Sequence, residues 1–394
     1  VDLGAQFYRA NLLDAHGNDI NKRNAWSARA VAWVNLIPPG AADVAHYRLH
    51  VPEDCGDTIQ LEARLNYRKF TYENTAFSFA GEPAEGEPEA PGPGIDRVTK
   101  HYDDRKFVSG EVPENVSAEV REIPNLPIVV MHKAEAKLRV VDQGAKVENV
   151  CPPPKADEWT RWNDYGIGLF RQDDLQGAKR AFQNVVTADG ENPEGFVNLG
   201  RVYLREGLID DAEEVLNQAL ALNQDLAKTH YFLGVVNKER GKYDEALVHF
   251  RKAESLYPKD RVVLNDIGRV LFLQRKFEES LVALKKVIAI DPEDLMAHYN
   301  MMLCCKGLGR MEDAEAEKKL YERFKADEDA NMLLGPYLRD NPQHNRMRQP
   351  IHEQVSVPRE VIDREMALRE QNGEPNVAMP GEAAEFAKRV VERG

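Results

Sequence analysis

The chain has 394 residues, of which 42% are hydrophobic, 30% charged and 8% aromatic, a balance that fits a folded protein of two or three domains at roughly 100–200 residues each. Its 66 acidic residues against 52 basic ones leave a formal net charge of -14. That argues against nucleic acid as a partner, because such binding rests on Lys and Arg neutralising phosphates. No apolar run approaches the roughly 20 residues that a membrane-spanning helix needs.

The four cysteines are Cys55, Cys151, Cys304 and Cys305. None forms a Cys-x-x-Cys pair, so the sequence has neither a zinc knuckle nor a Cys-x-x-Cys-His site for covalent haem. Cys55 and Cys151 are either two ordinary thiols or, in an oxidising compartment, a bonded pair. Cys304 and Cys305 are adjacent in a helical pattern, where successive side chains diverge, and read as packing residues. The chain begins at Val1 with no signal-like apolar stretch, which reads as processing or a cut upstream.

Residues 1–80 alternate with period two. Ile59, Leu61, Ala63, Leu65 and Tyr67 fall on one side and Gln60, Glu62, Arg64, Asn66 and Arg68 on the other, the pattern of a half-buried strand. Tyr47, Leu49 and Val51 alternate with His46, Arg48 and His50 and stop at Pro52, while Asp14 to Asn18, containing Gly17, reads as a turn. The expected class is α+β multidomain, opening with an antiparallel β-sandwich-like domain. So short a run of strands suggests that others lie upstream or in a partner. Residues 81–96, GEPAEGEPEAPGPGID, read as a Pro/Gly/Glu-rich loop. In 97–154 short apolar runs return, with Leu126 to Met131 and Ala136 to Val141 expected to rejoin the first sheet, until Pro152, Pro153 and Pro154 make a stiff boundary.

From Trp159 the period changes. Gly166, Gly200, Gly234 and Gly268 recur at intervals of 34, and Met302 holds the next place in the series. Twelve residues beyond each comes a small residue (Ala178, Ala212, Ala246, Ser280, Ala314), and four further on Phe182, Leu216, Phe250, Leu284 and Lys318. This period resembles the tetratricopeptide repeat, a pair of helices stacked into a solenoid. Five repeats over 155–326 are expected, the fifth a capping unit. Residues 327–394 are expected to be capping helices and a tail, with Val361, Ile362, Met366 and Leu368 covering the exposed end.

No Gly-x-Ser-x-Gly elbow, phosphate loop or His-Glu-x-x-His motif is present, and His352-Glu353 lacks its second histidine. The pairs Asp210-Asp211 and Glu213-Glu214 read as solvated charge on outward helix faces. No catalytic residue and no metal site is expected. A polysaccharide-cleaving sandwich would need two carboxylates in a cleft, for which Glu62 and Glu73 are the nearest candidates.

The concave face of a tetratricopeptide solenoid is lined by first helices, at places two, five, nine and twelve when the recurring glycine is place eight. The candidate partner-binding groove here is Asn163, Arg201, Tyr231, Lys238, Asn265, Arg269, Phe272, Tyr299 and Lys306, with Ile167, Phe170 and Val197 beside them. A basic stripe interleaved with aromatics in an acidic protein suits an extended acidic peptide or a partner's loop. The alternatives are that these residues only solvate the groove, or that the chain's own C-terminal segment covers them. With Asn163 and Ile167 at places five and nine of the first repeat, the carboxylate clamp of chaperone cofactors is not expected.

Several segments together resemble the C-terminal, non-haem half of bacterial multihaem c-type cytochromes that carry tetratricopeptide repeats, the cytochrome c-554-like family: AQFYRANLLDAHGNDINKRN (5–24), PPGAADVAHYRLHVP (38–52), LEARLNYRKF (61–70) and GPYLRDNPQHNRMRQPIHEQ (335–354). The resemblance implies an exported electron-transfer protein, periplasmic or extracellular, in which haem c sits in an upstream segment or a partner and none is attached by this chain. Gln6 stands where that family leads one to expect histidine before Phe-Tyr-Arg. The resemblance implies protein partners, either a multihaem cytochrome module or copies of the chain itself, and His46, His50, His101 and His132 are available as donated haem ligands. The rival reading is a stand-alone tetratricopeptide adaptor unrelated to haem.

Overall fold

The computed structural model describes residues 6–20, 25–49, 51, 55–71, 82–83, 100–101, 128–141, 153–325, 330–349, 351 and 353–355. The chain divides into two compact units, one made of 38–44 with 151–327 and the other of 1–37, 45–150 and 328–394.

The first unit is helical. Its helices are α1 (Trp159–Arg171), α2 (Leu175–Ala188), α3 (Pro193–Glu206), α4 (Ile209–Leu222), α5 (Ala227–Glu239), α6 (Tyr243–Leu256), α7 (Arg261–Leu273), α8 (Phe277–Ile290), α9 (Leu295–Gly307) and α10 (Met311–Phe324). First and second helices alternate, and each kind restarts 34 residues after the last. Local chemistry sets the ends. Asp174, Asn192, Asp260 and Asp294 cap helix N-termini by accepting from backbone N–H groups one turn in. The fifteenth place of every repeat adopts the left-handed conformation that ends the first helix, with Gly207, Gly241 and Gly309 in three repeats and Asp173 and Arg275 in the other two.

The recurring glycines work as their spacing predicts. A Cβ added to Gly166, Gly200, Gly234 or Gly268 would meet Phe182, Leu216, Phe250 or Leu284 of the paired helix at 2.5, 2.7, 2.6 and 2.6 Å, so the large side chain fills the space the glycine vacates. In the fifth pair the roles are exchanged. Met302 is buried, and Lys318 at the matching place swings out to pair with Glu322 at 3.6 Å. Cys304 and Cys305 are buried in this last repeat, where the Cys304 thiol donates to Ser280 Oγ at 3.2 Å and burial pushes both thiols up.

Place ten of each first helix faces the preceding repeat: Val202, Val236, Val270 and Cys304 are all fully buried. The first repeat has no predecessor and carries Gly168 instead. The segment 38–44 lies there: Gln172 Nε2 donates to Asp43 Oδ1 at 3.0 Å and to the Val44 carbonyl, and Arg171 Nη1 donates to the Ala42 carbonyl at 2.8 Å. Val44 packs into the cluster of Leu169, Phe182 and Val185.

In the second unit, β1 (Ala10–Leu13) pairs antiparallel with β2 (Ala30–Val34), with a bulge between Asn11 and Leu12. The turn expected at 14–18 forms, the Asp14 carboxylate accepting from the His16 and Asn18 backbone at 2.8 and 2.9 Å around Gly17 at φ 81°. Helix α11 (Ala330–Asp340) packs on this hairpin, burying Leu13, Ala30, Ala32, Trp33 and Tyr337 together, and the short α12 (Pro342–Arg346) follows. Strand β3 (His46–Arg48) pairs parallel with β8 (Glu353–Val355), and the two-residue β5 (Glu82–Pro83) pairs with β6 (Lys100–His101). The long strand β4 (Thr58–Tyr67) pairs antiparallel with β7 (Val129–Arg139).

Two expectations change here. The returning apolar runs form one strand, β7, rather than two, with 126–127 outside the described residues. The described strands form four separate two-stranded sheets, not a sandwich. Alternation marks a strand with two unlike sides but does not supply a second sheet to cover one of them: Ile59 is half-buried, whereas Leu65 and Tyr67 are 47% and 54% exposed. Cys55 is a free thiol and Cys151 lies outside the described residues. So do His50, Glu73 and the apolar positions 361, 362, 366 and 368.

Candidate functional site: the first-helix face of the solenoid

The first helices lie side by side, and their polar side chains link one repeat to the next. Asn198 of α3 donates through Nδ2 to Asn163 Oδ1 of α1 at 2.8 Å and accepts from Arg201 Nη1 at 2.8 Å. This chain of contacts places the Arg201 guanidinium between two rings, 4.9 Å from Phe170 and 5.7 Å from Phe232, where cation–π attraction holds it. Burial pushes its pKa down, partly offset by Glu194.

The middle of the face is neutral. Tyr231 OH donates to Asp266 Oδ2 at 2.9 Å and Lys238 Nζ donates to Asp266 Oδ1 at 2.7 Å. Burial and the adjoining Asp266 carboxylate push the Tyr231 phenol well above its ordinary range. In the fourth repeat Asn265 Nδ2 lies 3.3 Å from both oxygens of Asp294, which also caps α9 and takes Arg261 at 3.2 Å. Arg269 stacks on Phe272 at 5.3 Å, and Phe272 lies against Phe277. Tyr299 is 37% exposed beside Tyr321, and Lys306 is exposed. Ile167 is half-buried, and Val197 is fully buried in the core instead of facing out.

The structure therefore brings Asn163 to Arg201, and Tyr231 to Lys238, through residues that the place count passed over. Asn198, Phe232 and Asp266 all occupy place six of their repeats, one step round the helix from place five. A scan of place six for polar and aromatic residues finds them. The outward carboxylates have a linking role as well: Asp210 and Glu213 both receive the Arg240 guanidinium of the following repeat.

Place four holds histidine in the third and fifth repeats, each bonded to the carbonyl that closes the preceding repeat: His230 Nε2 to Gln224 at 2.8 Å, His298 Nε2 to Pro292 at 2.9 Å. His298 Nδ1 then meets Glu317 at 2.7 Å, whereas His230 Nδ1 meets His249 Nδ1 at 3.3 Å. Burial and the neighbouring imidazole push the His249 pKa below its ordinary 6.5, so the unfolded chain binds the proton more readily. The stability this contact contributes is present above about pH 6.5 and lost as pH falls below it. The melting temperature should accordingly drop between pH 7 and 5, and His249→Gln should flatten that profile; an unchanged slope in the variant would refute the assignment.

A second polar cluster lies in the other unit. Tyr337 OH donates to Asp19 Oδ1 at 2.6 Å and accepts from Asn11 Nδ2 at 3.0 Å and from His344 Nδ1. Asn11, Tyr337 and His344 are buried, and Trp33 lies edge-on to His344. Burial pushes His344 down.

On the β4–β7 ribbon, Lys133 and Arg64 both bond Glu62 and hold its carboxyl below the usual range, the opposite of what a general acid needs. Among the described residues no group of three or more His, Cys, Asp or Glu side chains comes together as a metal site. The thiols do not fit covalent haem, which needs two cysteines three residues apart followed by histidine. Cys304 and Cys305 are consecutive and buried, and Cys55 has no cysteine near it in the sequence.

Stacked antiparallel helix pairs of fixed length, four of the five closed by a glycine against a large side chain, define an α-solenoid of the kind that serves as a protein-interaction scaffold. Tetratricopeptide repeats are present in it: two families so described match residues 169–231 and 227–260. Curated relatives include the BBSome complex member bbs-4 of Caenorhabditis elegans, 27% identical over 32% of this chain and 28% of that protein. The cytochrome c-type biogenesis protein CycH of Bradyrhizobium diazoefficiens is 32% identical over 25% of this chain and 28% of that protein. Anaphase-promoting complex subunit 3 of Schizosaccharomyces pombe is 23% identical over 32% of this chain and 19% of that protein. The chain thus spans no more than 28% of the length of these relatives. Among solved structures, MamA protein matches 43% of this chain and 92% of its own at 26% identity, with a TM-score of 0.38. No described helix is long and apolar enough to cross a membrane.

Proposed function

We propose that this chain is the protein-binding portion of, or a partner to, an exported multihaem c-type cytochrome. In this reading it performs no catalysis and attaches no haem itself; the haem c belongs to an upstream segment or a partner, in the periplasm or outside the cell. The solenoid grips a protein, either the cytochrome module or a second copy of the chain, through Asn163, Arg201, Tyr231, Lys238, Asn265, Arg269, Phe272, Tyr299 and Lys306. The observation that carries the binding role is the first-helix face itself, where Arg201 and Arg269 are stacked on aromatic rings and no carboxylate among the described residues is bonded to them. The cytochrome context rests on the resemblance of 5–24, 38–52, 61–70 and 335–354, the first and last of which meet at Asn11, Asp19, Tyr337 and His344.

A stand-alone adaptor fits the same face no less well, and relatives named as members of complexes favour it. The intact mass and absorption spectrum of the protein from its natural source separate the two readings. A polypeptide well above 44.6 kDa, or a co-purifying one, with a strong Soret band is expected. A colourless chain of 44.6 kDa without a haem partner would overturn the cytochrome reading.

A further inference from the structure

We infer that the occupant of the first-helix face is an extended segment bearing two acidic side chains, one taken by Arg201 and the other by Arg269, with an uncharged stretch between them. This rests on the reading of that face as the binding surface and specifies the chemistry that it selects. Of the other half-buried cations of the repeats, Lys238, Arg240, Lys252 and Lys318 each sit on a carboxylate (Asp266, the Asp210 and Glu213 pair, Asp225 and Glu322), and Lys179 lies over the Tyr203 ring. Arg201 and Arg269 are half-buried too, yet their contacts are rings and one amide. A guanidinium that has lost part of its hydration and has no carboxylate hydrogen-bonded to it binds a carboxylate more strongly than an exposed one does, and in fork geometry. In a chain of net charge -14, two such groups on one face set a local field opposite to that of the whole.

The neutral interval is equally specific. Between the two arginines, which hold place nine of the second and fourth repeats, the third repeat offers Val235 at the same place and the internally compensated Tyr231, Asp266 and Lys238 group. A ligand charge there would meet a carboxylate already bonded or an ammonium already paired. Neighbouring helices pack about 10 Å apart, so two repeats separate the arginines by about 20 Å, the reach of about six extended residues. A single small anion cannot span that distance, and a peptide strand can.

The test uses the full chain and fluorescein-labelled Ser/Gly-rich peptides carrying two glutamates about two, six or ten residues apart, with glutamine counterparts, read by fluorescence anisotropy at physiological salt. The peptide with the middle spacing should bind tightest, and its glutamine counterpart about tenfold or more weakly. Arg201→Gln and Arg269→Gln should each cost about tenfold for that peptide. Arg201→Lys, which keeps the charge and loses the fork, should fall between, and it guards against a variant that fails to fold. Equal binding of glutamate and glutamine peptides would overturn the two-anion inference and leave the face as a binding surface. Binding of neither by a cooperatively folded chain would overturn both.

Discussion

Gly234→Trp should unfold the middle of the solenoid. Even a single methyl group at this position would lie 2.6 Å from the Phe250 ring, and that ring is fully buried. Phe250 cannot turn away, because Ala246, Val263, Ile267 and Val270 close around it and interiors of this density have no slack. Overpacking of a core costs about 1–3 kcal/mol when a side chain can shift, and here the α5 backbone itself must leave α6. Each repeat touches only its neighbours, so a break in the third of five uncouples the two ends. Urea unfolding followed by far-ultraviolet circular dichroism should lose its single transition. The fifth repeat shows the alternative solution, since Met302 is tolerated where Lys318 replaces the large apolar partner. A Gly234→Trp protein that melts cooperatively at the native temperature would refute the packing described here.

Gly168→Val should release residues 38–44 from the first repeat. At the equivalent place the other repeats carry Val202, Val236, Val270 and Cys304, packed against the helix pair before them. On Gly168 a Cβ would stand 2.7 Å from Val44 Cγ2 and 3.1 Å from the Asp43 backbone, and a backbone cannot rotate aside as a side chain can. The expected cost is about 2 kcal/mol, concentrated at one end: amide exchange should quicken in 39–44 and α1 while α7 to α10 stay protected. Uniform protection across both regions would show that the segment is not held by this contact.

The solenoid was legible because one period imposes five equations on one unknown. Glycine, a small residue and a large one recur at fixed offsets, and every helix starts where that register puts it. The groove was half legible. Place counting found Arg201, Arg269, Tyr231 and Lys238 but not the bonds that decide their charge, because Asp266 and Asn198 sit one step round the helix and reach back to the preceding repeat. The β unit was legible only locally. The turn at Asp14 and the β4 strand follow from residues close in sequence, whereas the partner of β4 lies past a long intervening stretch and that of β3 near the C-terminus. Alternation says nothing about such distant choices, nor about Asn11 meeting Tyr337 across 326 positions.

The strap at 38–44 is separated by 128 positions from the Gln172 side chain that holds it. Helix pairs of a repeat array can form one after another as the chain is made, and each new pair finds its neighbour already in place. The strap emerges from the ribosome long before the surface it covers, and its seat is complete only once α1 and the start of α2 have followed. Until then Val44 has no seat, and when the first repeat forms, the segment that closes its end is already made. Synthesis therefore runs opposite to assembly at this end of the solenoid: residues 38–44 are made before α1 and find their place only after it, so their wait is at least the time taken to make the 128 positions between.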